Sequence, residues 1–117
     1  MIESLSPRER IRKKKDFLFL YRKGNRYKGK YFNLIYLPNN LNFSRVGVVA
    51  SRKIGNAVTR NKVKRWMREL FRRNKSLLGF PVDMLIVARP EIKEAAWIAL
   101  KDHYLAAINQ MFKKKRG

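Results

Sequence analysis

The chain has no cysteine and only one histidine. The first absence excludes disulfide staples and thiol chemistry and is compatible with a reducing cytoplasm. The second leaves His103 with no metal-ligand neighbours, so it reads as a satisfied or exposed helix histidine. No apolar run approaches the ~18 residues that a membrane span needs. The N-terminus carries charges where an export signal would need its apolar stretch, so no such signal is expected. Acids are few: eight Asp and Glu stand against 29 Lys and Arg, for a net charge of +21. From Phe17 through Arg68 there is no acid at all, while thirteen Lys or Arg occur. There is no close pair of acids in that basic half and no phosphate-loop or dinucleotide fingerprint. General acid–base catalysis wants a tuned side chain in a pocket, and no residue is marked out for it. Metal binding by the protein alone is not expected either, for want of ligands. The inventory is that of a binding protein.

What is present suits one folded domain. The 117 residues are 45% hydrophobic, enough for a real core, so the domain spans 1–117 with a basic N-terminal arm at 1–15. A basic surface can serve nucleic acid, an anionic membrane or solubility. A membrane helix would need exposed apolar residues opposite its charges. Here the apolar stripe is better spent on a core, and nucleic acid is the expected partner.

The stretch from Arg52 to Arg73 organises the chain. From Ala57 onward it reads as a helix. Val63, Trp66, Met67, Leu70 and Phe71 fall on one apolar stripe at the helical period. Asn61, Arg65, Arg68 and Arg72 fall on the opposite side, with Arg60 and Lys64 on one flank and Lys62 and Arg73 on the other. Only Glu69 offers local neutralisation. Stacked like charges cost a few tenths of a kcal/mol per close pair. A polyanion is the natural compensation. The residues before this helix, Arg52, Lys53, Gly55 and Asn56, form a basic glycine loop. With Arg60 and an acid-free first turn, they have the makings of a phosphate site. Asn56 reads equally as an N-cap, and both can hold.

Around this helix the reading is coarse. Ser6, Pro7 and Glu9 suit a helix start, and Arg10 to Lys15 reads as one turn of helix or an extended basic arm, the arm being preferred. Asp16 to Lys23 reads as a short helix stopped by Gly24 as a left-handed cap. Its Phe17, Leu20 and Tyr21 share a face. Phe17 and Tyr21 are either core or the edge of a groove where bases stack. Tyr31 to Leu37 and Phe43 to Ser51 read as strands joined in a hairpin through 38–42, with room for another short strand near Asn25. Val82 to Ala88 reads as a buried strand and Glu91 to about Lys113 as a long helix. That helix has Ile92, Ala96, Trp97, Leu100, Tyr104, Ala107, Ile108, Met111 and Phe112 on its apolar side. Glu91 and Glu94 would sit at its positive end and Lys113 to Arg116 at its negative end. The strands flanking the central helix form a βαβ unit. The expected class is α+β, a two-layer sandwich of helices on one mainly antiparallel four-stranded sheet.

The run Lys53, Gly55, Asn56, Ala57, Val58, Arg60, Asn61, Lys62, Lys64, Arg65, Arg68 and Glu69 closely resembles the signature of the bacterial ribonuclease P protein component. Lys62 keeps the charge of that family's Arg-Asn-Arg/Lys motif. The likeness extends from Arg10 through Asp16, Phe17, Tyr21 and Gly24 to Arg45 and to Asp83–Arg89, roughly residues 8 to 90. It implies a ribosomal protein S5 domain 2-like fold with a left-handed βαβ crossover, against a rule that is right-handed about 98% of the time. It implies the protein subunit of a magnesium-dependent endoribonuclease that matures the 5′ end of tRNA. The RNA subunit would carry the catalytic centre, and Mg2+ would be held mainly by RNA and substrate. The protein alone would be inactive. The partners would be ribonuclease P RNA and precursor tRNA, with no membrane and no obligate protein partner, in the cytoplasm. By the resemblance Arg60, Asn61, Lys62, Lys64, Arg65 and Arg68 face RNA. Ser51 and Lys53 lie at a cleft between sheet and helix, which Phe17 and Tyr21 line against the 5′ leader. Tyr21 stands where phenylalanine is frequent. A ribosomal or other structural-RNA-binding protein is the alternative. A DNA-binding module comes third and an autonomous nuclease last.

Overall fold

A computed structural model describes residues 5–113. In chain order its main elements are α1 (Lys14–Lys23), β1 (Asn25–Lys28), β2 (Phe32–Pro38), β3 (Arg45–Val49), α2 (Ala57–Arg73), β4 (Val82–Ala88) and α3 (Trp97–Lys113). Short 3₁₀ turns lie at Pro7–Glu9, Arg52–Ile54, Lys75–Leu77 and Pro90–Glu94.

The near-continuous apolar run of β4 decides the sheet. A strand with no polar face to give to water belongs in the centre. The order is β1-β2-β4-β3, so β4 is flanked on both sides. The β1–β2 and β2–β4 pairs are antiparallel, and β3–β4 is parallel. The parallel pair brackets α2, as a βαβ unit requires. The expected hairpin between the second and third strands does not form, because β4 lies between them. Their connection instead wraps the end of β4. Asn39 Nδ2 donates to Phe43 O (3.2 Å) and to Asp83 Oδ1 (2.9 Å), and Val82 N donates to Ser44 Oγ (3.0 Å).

Alternation along the strands serves two cores. Met84 and Ile86 of β4, Phe32 and Leu34 of β2 and Val46 of β3 meet Met67, Leu70 and Phe71 of α2 and Leu100, Tyr104 and Ile108 of α3. Leu85 and Ile35 point the other way and meet Leu20 of α1 and Ile11, with Phe17 packed at the rim. The layer of α2 and α3 on the sheet is the expected sandwich. The small α1 layer covers the face that the sequence reading left open. Of the α2 stripe, Val63, Met67, Leu70 and Phe71 are buried and Trp66 is only half-buried.

Three local expectations are corrected. Gly24 ends α1 in an extended conformation (φ −73°), not a left-handed one. A Cβ there would stand 2.4 Å from Ile35 Cγ2 and 2.7 Å from Leu20 O, so close approach to β2 explains the glycine. The segment before α1 is not a free arm. Ile11 is buried, its amide donates to Val46 O (2.9 Å), and Arg10 bridges Val46 in parallel register. The last helix does not run from Glu91. A 3₁₀ turn packs Ile92 and Ala95 into the core, Ala95 is extended, and the helix restarts at Trp97 with Ala96 exposed. Glu91 and Glu94 therefore lie outside its first turn, and of the predicted basic end Lys114 to Arg116 lie outside the described residues.

Candidate nucleic-acid interface

Helix α2 begins at a built corner. Ser51 Oγ accepts from Lys53 N (3.3 Å), and Gly55 takes φ 146°, a region that side chains rarely enter. Asn56 Oδ1 accepts from Thr59 N (2.9 Å), so the expected N-cap is present. The Arg60 guanidinium donates to Gly55 O (2.8 Å). Asn56 and Arg60 thus spend part of their capacity on holding the loop. Arg52 and Lys53 of the loop and Asn61, Lys62 and Arg65 of α2 are exposed, and Lys64 is half-buried.

The charges of α2 then divide. Glu69 accepts from Arg72 through both oxygens (3.0 and 2.6 Å) and from Arg73 Nε (2.8 Å). These bonds, Arg72 foremost, hold the Glu69 carboxyl below the usual carboxylate range. Arg72 is thereby a neutralised partner as well as a member of the polar face. Arg68 differs. It takes part in no ion pair among the described residues. Burial first, then the nearby charges of Arg10 and Arg12, push its pKa down.

Arg68 stands in a groove of about 210 Å³ with Arg10, Arg12, Phe17 and the Val46–Val48 stretch of β3. The groove follows the outer edge of β3, where the sheet ends. Segment 10–12 covers that edge at Val46. The structure therefore joins Phe17 and Arg68, which the sequence reading placed on different elements. Tyr21 lies one turn along α1 from Phe17 and is exposed. Ser51 and Lys53 follow β3 at its C-terminal end and are exposed. None of these three lines the enclosed groove. Arg10 and Arg12 were missed as site residues. Their signal was the alternation around Ile11, one apolar residue between two arginines, as on a strand with one buried face.

This arrangement is chemically suited to a flexible polyanion. An aromatic ring offers a stacking face, and arginines with no ion pair among the described residues line the same groove beside the β3 edge. The ribonuclease P family model matches residues 5–114. The ribonuclease P protein component of Thermotoga maritima is 42% identical over 94 residues, 80% of each chain. That of Syntrophus aciditrophicus is 42% identical over 86 residues, 74% of this chain and 72% of the relative. Among solved structures, the Staphylococcus aureus RNase P protein superposes with a TM-score of 0.81 at 30% identity. The match covers 89% of this chain and 95% of that one. The Thermotoga maritima RNase P protein gives 0.78 at 33%, covering 87% and 96%. Sequence and fold converge, and the chain belongs to the ribonuclease P protein family, as the protein subunit of that tRNA-processing endoribonuclease.

Proposed function

We propose that the groove between Phe17 and Arg68 holds the single-stranded 5′ leader of precursor tRNA, while the exposed face of α2 and the loop before it dock ribonuclease P RNA. The carrying observation is the pairing, in one groove beside the β3 edge, of a half-exposed aromatic ring with an arginine that has no carboxylate partner among the described residues. A single strand can stack one base on Phe17 and lay its phosphates along Arg68, Arg10 and Arg12. A duplex presents no unstacked base to such a groove. Holding the leader favours precursor over mature tRNA, because only the precursor has a segment to place there.

The reacting chemistry falls to RNA in this reading. Among the described residues no group of three or more His, Cys, Asp or Glu is placed to hold a metal. Magnesium prefers hard oxygen ligands and readily uses phosphates, so RNA and substrate would hold the ions. The protein's contribution is positive potential that concentrates those phosphates. A cytoplasmic setting fits the tRNA substrate. Among the described residues no helix is long and apolar enough to cross a membrane.

Reconstitution tests the reading. The protein freed of RNA leaves precursor tRNA intact, and with ribonuclease P RNA it raises cleavage at low millimolar magnesium. Metal-dependent cleavage by the protein alone would sink this division of labour.

A further inference from the structure

On another side of α2, centred roughly 100° around the helix from Arg68, lies a second opening of about 520 Å³ lined by Arg65, Trp66, Glu69, Arg72, Arg73 and Trp97. It contains both tryptophans of the chain. Their rings meet edge to face, 6.0 Å between centroids and 68° between planes. Both are half-buried, with their inner sides packed on the main core and the remainder open to solvent. Lys62 Nζ stands 4.9 Å over the Trp66 ring and Arg73 Cζ 5.6 Å over that of Trp97. Arg65 is exposed at the mouth. Glu69 is already engaged by Arg72 and Arg73, so its charge is compensated.

We propose that this Trp66–Trp97 pocket is a second nucleotide-binding site, which takes one unpaired nucleotide of an RNA strand, its base on the indoles and its phosphate on Arg65. An indole is a large, sequence-tolerant stacking face, and base–aromatic stacking is the common device for capturing single-stranded RNA. Lys62 and Arg73 are exposed, so a base can replace either on its ring without burying an unpaired charge. Charge complementarity selects the occupant. Four arginines and lysines border the indoles, against one carboxylate that is already paired. The start of α3 lies at Trp97 and has no acid in its first turn, which adds positive potential on the same side. The site uses no residue of the Phe17 groove, so it stands or falls apart from the leader reading.

The placement of both tryptophans supplies the assay. A pentanucleotide of adenylates is titrated into the full-length protein while intrinsic fluorescence is followed. Quenching is expected, with an abasic strand of equal length and phosphate count leaving most of the signal. Trp97→Leu should weaken binding by about fivefold to a hundredfold, Trp97→Phe should restore much of it, and Phe17→Ala should leave the quenching in place. Arg65→Ala, at an exposed position, carries the test if Trp97→Leu does not fold, and should weaken binding severalfold. Equal quenching by the abasic strand overturns the proposal. So does loss of quenching in Phe17→Ala, unaltered affinity in a folded Trp97→Leu, or unaltered affinity in Arg65→Ala. Stronger quenching by a hexaglutamate peptide, or quenching that tracks self-association, would assign the pocket to a protein and overturn it too.

Discussion

The ring of Phe17 lies directly on the backbone of Gly47. A Cβ at that glycine would stand 3.0 Å from Phe17 Cε1 and Cζ, and 2.8 Å from Leu85 Cδ2. The glycine therefore sets the depth at which the aromatic wall of the groove rests on β3. Gly47→Ala should push both side chains outward at a cost of about 1–3 kcal/mol, as overpacking does. Urea unfolding should show the loss. Leader-RNA affinity, measured under conditions where the variant is fully folded, should fall as well. A variant as stable as the parent would mean that Phe17 yields freely and is not held.

Removing the ring asks the complementary question. Phe17→Ala should weaken binding of precursor tRNA with a leader by about fivefold to a hundredfold, the range of one stacked base. Binding of mature tRNA should change far less. Because Phe17 also packs at the rim of the α1 core, some stability will be lost. The ratio of the two affinities, not either alone, is the readout. Equal losses would return Phe17 to a purely structural role.

Helix α2 was legible in full because two signals agree over seventeen residues: an apolar stripe at the helical period and an Asn56 cap. β4 was legible as a central strand for the same reason, a run with no solvated face. What failed was pairing. Nothing local in residues 38–42 says that the next strand will cross to the far side of β4, since that depends on Asn39 and Ser44 meeting residues some forty positions away. The start of α3 failed differently: Ile92 and Ala95 are buried by a 3₁₀ turn whose pattern resembles a helix over so short a stretch. The groove was half legible. Its cations were plain in the composition. The buried Ile11 that swings Arg10 and Arg12 toward Arg68 was hidden inside a run of charge.

The register of β3 on β4 rests on a polar clamp. Arg45 and Asp83 are paired positions in the parallel ladder, and Arg45 donates to both carboxylate oxygens, from Nε at 2.9 Å and from the terminal nitrogen at 2.6 Å. Asn39 adds a third bond to the same carboxylate (2.9 Å). Asp83→Ala leaves a half-buried guanidinium and a carboxamide without their acceptor, and should cost about 2 kcal/mol. Asp83→Asn, which keeps one acceptor, should cost less. A thermal melt of the two variants ranks them, and equality of Asp83→Ala with the parent would show the clamp to be ornamental.

Acid should act through Glu69 and Glu9. Both carboxyls are held below their ordinary range in the folded chain. For Glu69 the Arg72 hydrogen bond is the main cause. For Glu9, burial opposes, but bonds from Lys75 (2.8 Å) and from the Ser6 amide (2.9 Å) outweigh it. A depressed folded pKa gives stability that is present above the unfolded value, about 4.3, and lost as pH falls through the folded one. Stability should therefore be flat down to about pH 5 and decline below about 4.3. Glu9→Gln should reduce this decline and loosen segment 5–12, which hydrogen exchange at Ile11 would detect. An acid limb unchanged in both Glu9→Gln and Glu69→Gln would assign it to other acids.

The groove arginines should trade stability for binding. Arg68, Arg10 and Arg12 crowd one another, and Arg10 Nε is buried without a hydrogen-bond partner among the described residues. Without an anion this cluster is repulsive; with a phosphate between its members it is complementary. Arg68→Met keeps most of the apolar stem while removing the charge. The free protein should then become more stable by a few tenths to about 1 kcal/mol at low salt, an advantage that salt should erase. Affinity for leader RNA should fall, and the log–log salt dependence should flatten by about 0.7, the share of one phosphate on a single strand. Opposite signs in the two measurements are what a site built for an absent polyanion predicts. A variant that lost stability and kept its salt slope would instead show Arg68 to be a packing residue whose charge is incidental.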